Sequence, residues 1–137
     1  MENLQMLKMK DEKLTYDIDD SITRILCRIG MPAGIRGYAY VKTAITYAVE
    51  DNNRIYAITK QIYPEVAKQH NSTASRVERA IRHAIERTWS MGSVKRAVDM
   101  YGYSFRDLDF KPTNSEFIAE MVEIIMREYR LGNPVYY

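Results

Sequence analysis

The sequence predicts an all-α protein, a compact bundle of about six helices, and three observations carry that prediction. Apolar residues recur three or four apart rather than in alternation, which is the period of a helix with one buried face. Gly and Pro are scarce, six and four in 137 residues, and most of them fall between the periodic stretches. Hydrophobic residues make up 46% of the chain, enough for one core in a chain of this length.

The elements follow in order. Residues 1–16 read as a flexible polar arm. Asp17, Asp19 and Asp20 then open a first helix whose stripe is Ile18, Ile22, Ile25, Leu26 and Ile29, and Gly30 closes it. Acidic residues suit the positive end of a helix dipole and Gly suits a C-cap. An acidic cluster can also hold a metal or accept a phosphoryl group, but no further ligand set accompanies this one, so capping is the reading adopted. Met31-Pro32-Ala33-Gly34 is a turn. Tyr38, Val41, Ile45, Ala48 and Val49 mark a second helix, broken at Asp51-Asn52-Asn53. Ile55, Ile58 and Ile62 lead in helical turns to a short helix over residues 64–70, with Pro64 first, where its missing N–H costs nothing. A long helix over residues 73–89 ends at Met91-Gly92, and a short one carrying Val94, Ala97, Val98 and Tyr101 ends at Gly102. Residues 104–112 form a loop, Thr113-Asn114-Ser115 caps a last helix over 116–131, and Gly132 and Pro134 stop it. The folded domain thus spans residues 17–131, followed by a tail over 132–137.

Several function classes are excluded early. Cys27 is the single cysteine and cannot form an internal disulfide, and the first fourteen residues lack the apolar stretch of a signal peptide. No apolar run approaches the roughly 18 residues that span a bilayer. A cytoplasmic protein with no membrane role is expected. His70, His83 and Cys27 do not make a metal set, so no metal and no cofactor are expected. Neither a nucleophile with its base and orienter nor a glycine-rich phosphate loop is present, which argues against an enzyme.

Charge is distributed unevenly. Residues 1–20 carry three Lys against six Asp or Glu, a balance of −3, while residues 68–96 carry seven Lys or Arg against Glu78 and Glu86, a balance of +5. A local basic excess is the footprint of a polyanion binder. It coincides with a helix-turn-helix spacing. Val66 and Val77 fall where two crossed helices touch, Ala67 is small where their backbones approach, and Asn71 falls where the turn needs a residue tolerant of positive φ.

On a helical wheel, Val77, Ala80, Ile81, Ala84, Ile85 and Thr88 share the core face. Ser75, Arg79, Arg82, His83 and Glu86 lie opposite, with Arg76, Glu78 and Arg87 on the flanks. Arginine forks match guanine O6 and N7, and a glutamate accepts from cytosine N4, so Glu78, Arg79 and Arg82 have the chemistry of base readers in the half of the helix that enters a major groove. Plainer readings exist for the same residues. Glu78 and Arg82 have the spacing of an ordinary surface pair, and Ser75-Arg76-Val77-Glu78 has that of a capping box.

The run Thr73-Ala74-Ser75-Arg76-Val77-Glu78-Arg79-Ala80-Ile81-Arg82-His83-Ala84-Ile85-Glu86, with Trp89 after it, is more specific than any of these patterns. Together with residues 58–64, the segment Gly34-Ile35-Arg36-Gly37-Tyr38 and residues 111–118, it resembles the C-terminal effector domain of the sporulation stage-zero master response regulator family of endospore-forming bacteria. The resemblance covers about residues 17–129. It implies a six-helix fold with an embedded helix-turn-helix, and binding of double-stranded DNA at promoter boxes like TGTCGAA, often in tandem. The family's base readers fall on Glu78, Arg79 and Arg82, the set the wheel selects. Ser75, Arg76 and His83 would be backbone contacts on the same helix, and Lys68 is expected to contact the backbone from the preceding one.

Two departures from the family are visible. Its members usually carry an N-terminal receiver domain, and here some 16 polar residues precede the first helix, so binding is expected to need no phosphoryl donor. The segment at residues 93–100 is more basic than the family segment implicated in contacting the RNA polymerase sigma subunit, so DNA binding transfers more safely than activation. Finally, the last helix has apolar residues beyond one face: Phe117, Ile124 and Leu131 form a second stripe, expected to support dimers on tandem sites. The alternative of another class is a helical protein-interaction module or antagonist that keeps the fold, for which exposed Arg79 and Arg82 would serve no purpose.

Overall fold

A computed structural model describes residues 12–130, those from 12 to 17 as backbone only. It contains six α-helices and, among the described residues, no strand: α1 (Glu12–Ile29), α2 (Arg36–Glu50), α3 (Tyr63–Gln69), α4 (Ala74–Ser90), α5 (Ser93–Tyr101) and α6 (Asn114–Arg130). A 3-10 turn (Asn52–Ala57) and a π turn (Ile58–Ile62) join α2 to α3. The all-α class and the six-helix plan hold.

The first helix begins earlier than the acidic cap placed it. It runs from Glu12, so residues 12–16 belong to a helix and not to an arm. No Gly or Pro interrupts residues 12–29, and Asp19 and Asp20 sit on the exposed side of a continuing helix. There Asp19 pairs with Lys42 at 3.2 Å and Asp20 with Arg24 at 3.4 Å. Residues 1–11 and 131–137, including the tail and Leu131, lie outside the described residues. At its other end α1 stops as expected: Gly30 takes φ +91°, its N–H reaches the Cys27 carbonyl at 3.1 Å and the Met31 N–H reaches the Leu26 carbonyl at 3.0 Å. That pair of bonds is a Schellman cap.

The core draws on every helix. Ile18, Ile22, Ile25, Leu26 and Ile29 of α1 are buried, as are Val41, Ala44, Ile45, Ala48 and Val49 of α2. At Gly37, α2 crosses α4 so closely that a Cβ would stand 2.1 Å from the Ala80 carbonyl oxygen. The crossing fixes α4 against the body of the domain.

The two described residues of the stripe assigned to self-association, Phe117 and Ile124, are internal. Phe117 is fully buried and Ile124 is 6% exposed. Helix α6 packs against α1, α2, α4 and the 3-10 turn, so it needs more than one apolar side within a single chain. Phe117 lies in an aromatic cluster, 5.9 Å from Trp89 and 6.1 Å from Phe105 between ring centroids. It offers nothing to a second protomer.

Candidate nucleic-acid interface

The helix-turn-helix is built by local chemistry first. Helix α3 ends in a Schellman cap, in which the Ser72 N–H bonds the Ala67 carbonyl at 2.8 Å and the Asn71 N–H bonds the Lys68 carbonyl at 3.5 Å. Asn71 supplies the left-handed step with φ +52°, the one positive φ outside glycine among the described residues. Helix α4 then starts with Thr73 as N-cap, whose Oγ1 accepts from the Arg76 N–H at 3.2 Å. The cap is thus two residues earlier than a box on Ser75 would place it, and the Glu78 carboxylate bonds Arg82 instead. Across the turn, Val66 and Val77 are fully buried and Ala67 nearly so.

The orientation of α4 agrees with the wheel. Val77, Ile81, Ala84, Ile85 and Thr88 face the core, and Ala80 is partly buried against it. Ser75, Arg76, Arg79, Arg82, His83 and Arg87 are exposed, Glu78 and Glu86 half-buried on the flank. Lys68, in the last turn of α3, is exposed as well. The surface pair Glu78–Arg82 does form. An exposed i,i+4 pair is worth about 0.3–0.5 kcal/mol, well below the roughly 1–3 kcal/mol of discrimination in a bidentate base contact. It orients the Arg82 fork without committing it.

Contacts from α6 hold the N-terminal half of this helix, and the sequence pattern did not reveal them. Asn114, the first residue of α6 and 7% exposed, donates both amide hydrogens, one to the Tyr63 hydroxyl at 2.9 Å and one to the Glu78 carbonyl at 3.0 Å. Burial raises the Tyr63 pKa above its ordinary value, against the opposing pull of the Asn114 bond. One side chain therefore ties the start of α6 to both helices of the motif. The sequence marked Asn114 only as part of a capping run. The cap itself is made by its neighbour, with Thr113 Oγ1 accepting from the Glu116 N–H at 3.1 Å and Glu116 returning a bond to the Thr113 N–H at 2.9 Å. On the opposite side, His70 Nε2 lies 2.7 Å from Thr43 Oγ1 and its ring meets Tyr40 edge-on, fixing the turn to α2.

Among the described residues no cluster of three His, Cys, Asp or Glu is arranged to hold a metal, and no helix is long and apolar enough to cross a membrane. Two crossed helices with a cationic, apolar-poor outer face on the second are the architecture of a major-groove DNA-binding domain. The family model described as sporulation initiation factor Spo0A C terminal matches residues 22–125, from α1 into the last turns of α6. The chain belongs to that family, a family of helical DNA-binding domains that regulate transcription in sporulation.

Proposed function

We propose that this chain is a sequence-specific transcription regulator that inserts α4 into the major groove of TGTCGAA-type promoter boxes. Glu78, Arg79 and Arg82 read base edges in this proposal, while Ser75, Arg76, His83 and Lys68 contact the sugar-phosphate backbone. The observation that carries it is the outer face of α4. Arg79 and Arg82 stand exposed one turn apart, on a rigid helix buried along its opposite side. A helix with side chains is about 10–12 Å across and the major groove about 12 Å wide, so such a face fits a groove without rearrangement.

A contact to the RNA polymerase sigma subunit is assigned to α5. Val94 and Ala97 anchor that helix, while Lys95, Arg96 and Met100 are exposed, with Phe110 also exposed in the loop beyond. Arg96, Met100 and Phe110 are of residue types enriched at protein–protein interfaces. The protein acts in the cytoplasm, on the nucleoid when bound.

A mobility-shift titration with a duplex carrying one TGTCGAA box against a scrambled duplex tests the proposal. Tighter binding to the box by ten-fold or more, about 1.4 kcal/mol, is the expected result. Equal binding of both would remove sequence-specific regulation and leave the interaction-module reading.

A further inference from the structure

We infer that Lys111, with Ser115 beside it, forms a second phosphate-gripping point on the DNA strand that borders the groove entered by α4. The inference rests on the reading of α4 as the groove-entering helix. A crevice of about 350 Å³ separates the loop before α6 from α4, and its walls include Glu78 and Arg82 on one side and Lys111, Thr113 and Ser115 on the other. Lys111 Nζ lies 3.3 Å from Glu86 Oε2. Glu86 is four residues beyond Arg82 and eight beyond Glu78, so all three lie along one side of α4. Lys111 thus lies beside the outer face of α4, not behind it.

The groove geometry then decides what it meets. A helix about 10–12 Å wide fills a groove about 12 Å wide, so a group flanking that helix at the level of its reading residues lies against the bordering sugar-phosphate strand. Lys111 has the chemistry for this contact: its ammonium is a mobile point charge with three donors, and half of the side chain is exposed. Its present partner is a half-exposed carboxylate, and pairs so open to solvent are weak. The N–H groups of Thr113 and Glu116 are already occupied within the helix cap. The contact therefore belongs to the Lys111 ammonium and the Ser115 hydroxyl, and not to the end of α6.

Fluorescence anisotropy with the cognate and the scrambled duplex, each titrated between 50 and 200 mM salt, tests the assignment on the full chain. Neutralising one phosphate contributes about 0.9 to the slope of log affinity against log salt, equivalent to roughly an eight-fold change at about 0.1 M. Lys111→Ala should weaken both duplexes by that factor and reduce the slope by about 0.9 on each, with the ratio between them unchanged. Lys111→Arg should restore the slope. Arg130→Ala, some 16 residues and about 24 Å along α6 from the crevice, should leave it unaltered. An unchanged slope in Lys111→Ala overturns the inference. So does a lost cognate preference at constant slope, since Lys111 would then act through Arg82, and so does an equal effect of Arg130→Ala, which would reduce it to net charge. The scrambled duplex reads the grip independently of base recognition, so equal binding of wild type to both duplexes would sink the proposed readout without touching this result.

Discussion

Asn71 sets the angle between the two helices of the motif through its own backbone. A left-handed φ of +52° costs an ordinary L residue about 1–2 kcal/mol, and Asn bears it more readily than most side chains. Asn71→Ala should therefore lose about 1 kcal/mol of unfolding free energy, while Asn71→Gly stays near wild type or above it. Urea denaturation of the two variants checks this, and equal stabilities would show that the turn is not under that constraint. This residue was legible in the sequence because the requirement is local: a positive φ at the end of a short helix narrows the choice to Gly or Asn. The Glu78 carboxylate was less legible. Its spacing fits a cap and an ion pair equally, and only the position of Thr73 as the true N-cap decides for Arg82.

Between elements, the crossing of α2 over α4 constrains where the outer face of α4 points. Gly→Ala within a helix ordinarily gains up to about 1 kcal/mol from propensity. At position 37 the added Cβ meets a backbone carbonyl at 2.1 Å, which cannot swing aside. Overpacking of this kind costs about 1–3 kcal/mol or more, so the clash wins. Gly37→Ala should lower the urea midpoint, and in the fraction that stays folded it should weaken cognate DNA binding by displacing α4. A stability equal to wild type with intact binding would show that the two helices are not locked. Helix existence and the inner face of α4 were readable from period alone. The extra width of α6 was not, because Phe117 and Ile124 are buried by neighbours distant in sequence, and nothing in a local pattern counts neighbours. The start of α1 was misplaced for a related reason: Asp19 and Asp20 look like caps until Lys42 and Arg24 are seen opposite them.

At the scale of the whole molecule, three carboxylates of α6 carry pKa values shifted in opposing directions. Burial raises the pKa of Glu120 above its ordinary 4.5, and one of its oxygens, Oε1, is buried with no hydrogen-bond partner among the described residues. Burial raises Glu128 as well, against the pull of Arg24. The folded state therefore holds these protons more tightly than the unfolded state, and their contribution falls as pH rises from 4.5 through the raised folded values. Glu116 is lowered by its bond from the Thr113 N–H, so its contribution is present above 4.5 and lost as pH falls through the lowered value. Glu120→Gln keeps an acceptor for the Arg106 N–H while removing the charge. It should raise stability at pH 7 and flatten the decline above pH 4.5. Thermal melts from pH 4 to 8 check this, and a variant less stable than wild type at pH 7 would show that the charge is stabilising.

The same scale holds the central claim, that an α-helical bundle with little net charge, +2 over the chain, concentrates its chemistry on one face of one helix. The most direct measurement is the ratio of cognate to scrambled affinity for Arg79→Ala and Arg82→Ala, each verified as folded by circular dichroism. Loss of a bidentate contact removes about 1–3 kcal/mol of discrimination, a ratio reduced roughly five- to 150-fold. Each variant should bind the scrambled duplex nearly as wild type does and approach that level on the cognate one. Folded variants that keep the wild-type ratio would contradict this, because these two side chains would then not be reading bases.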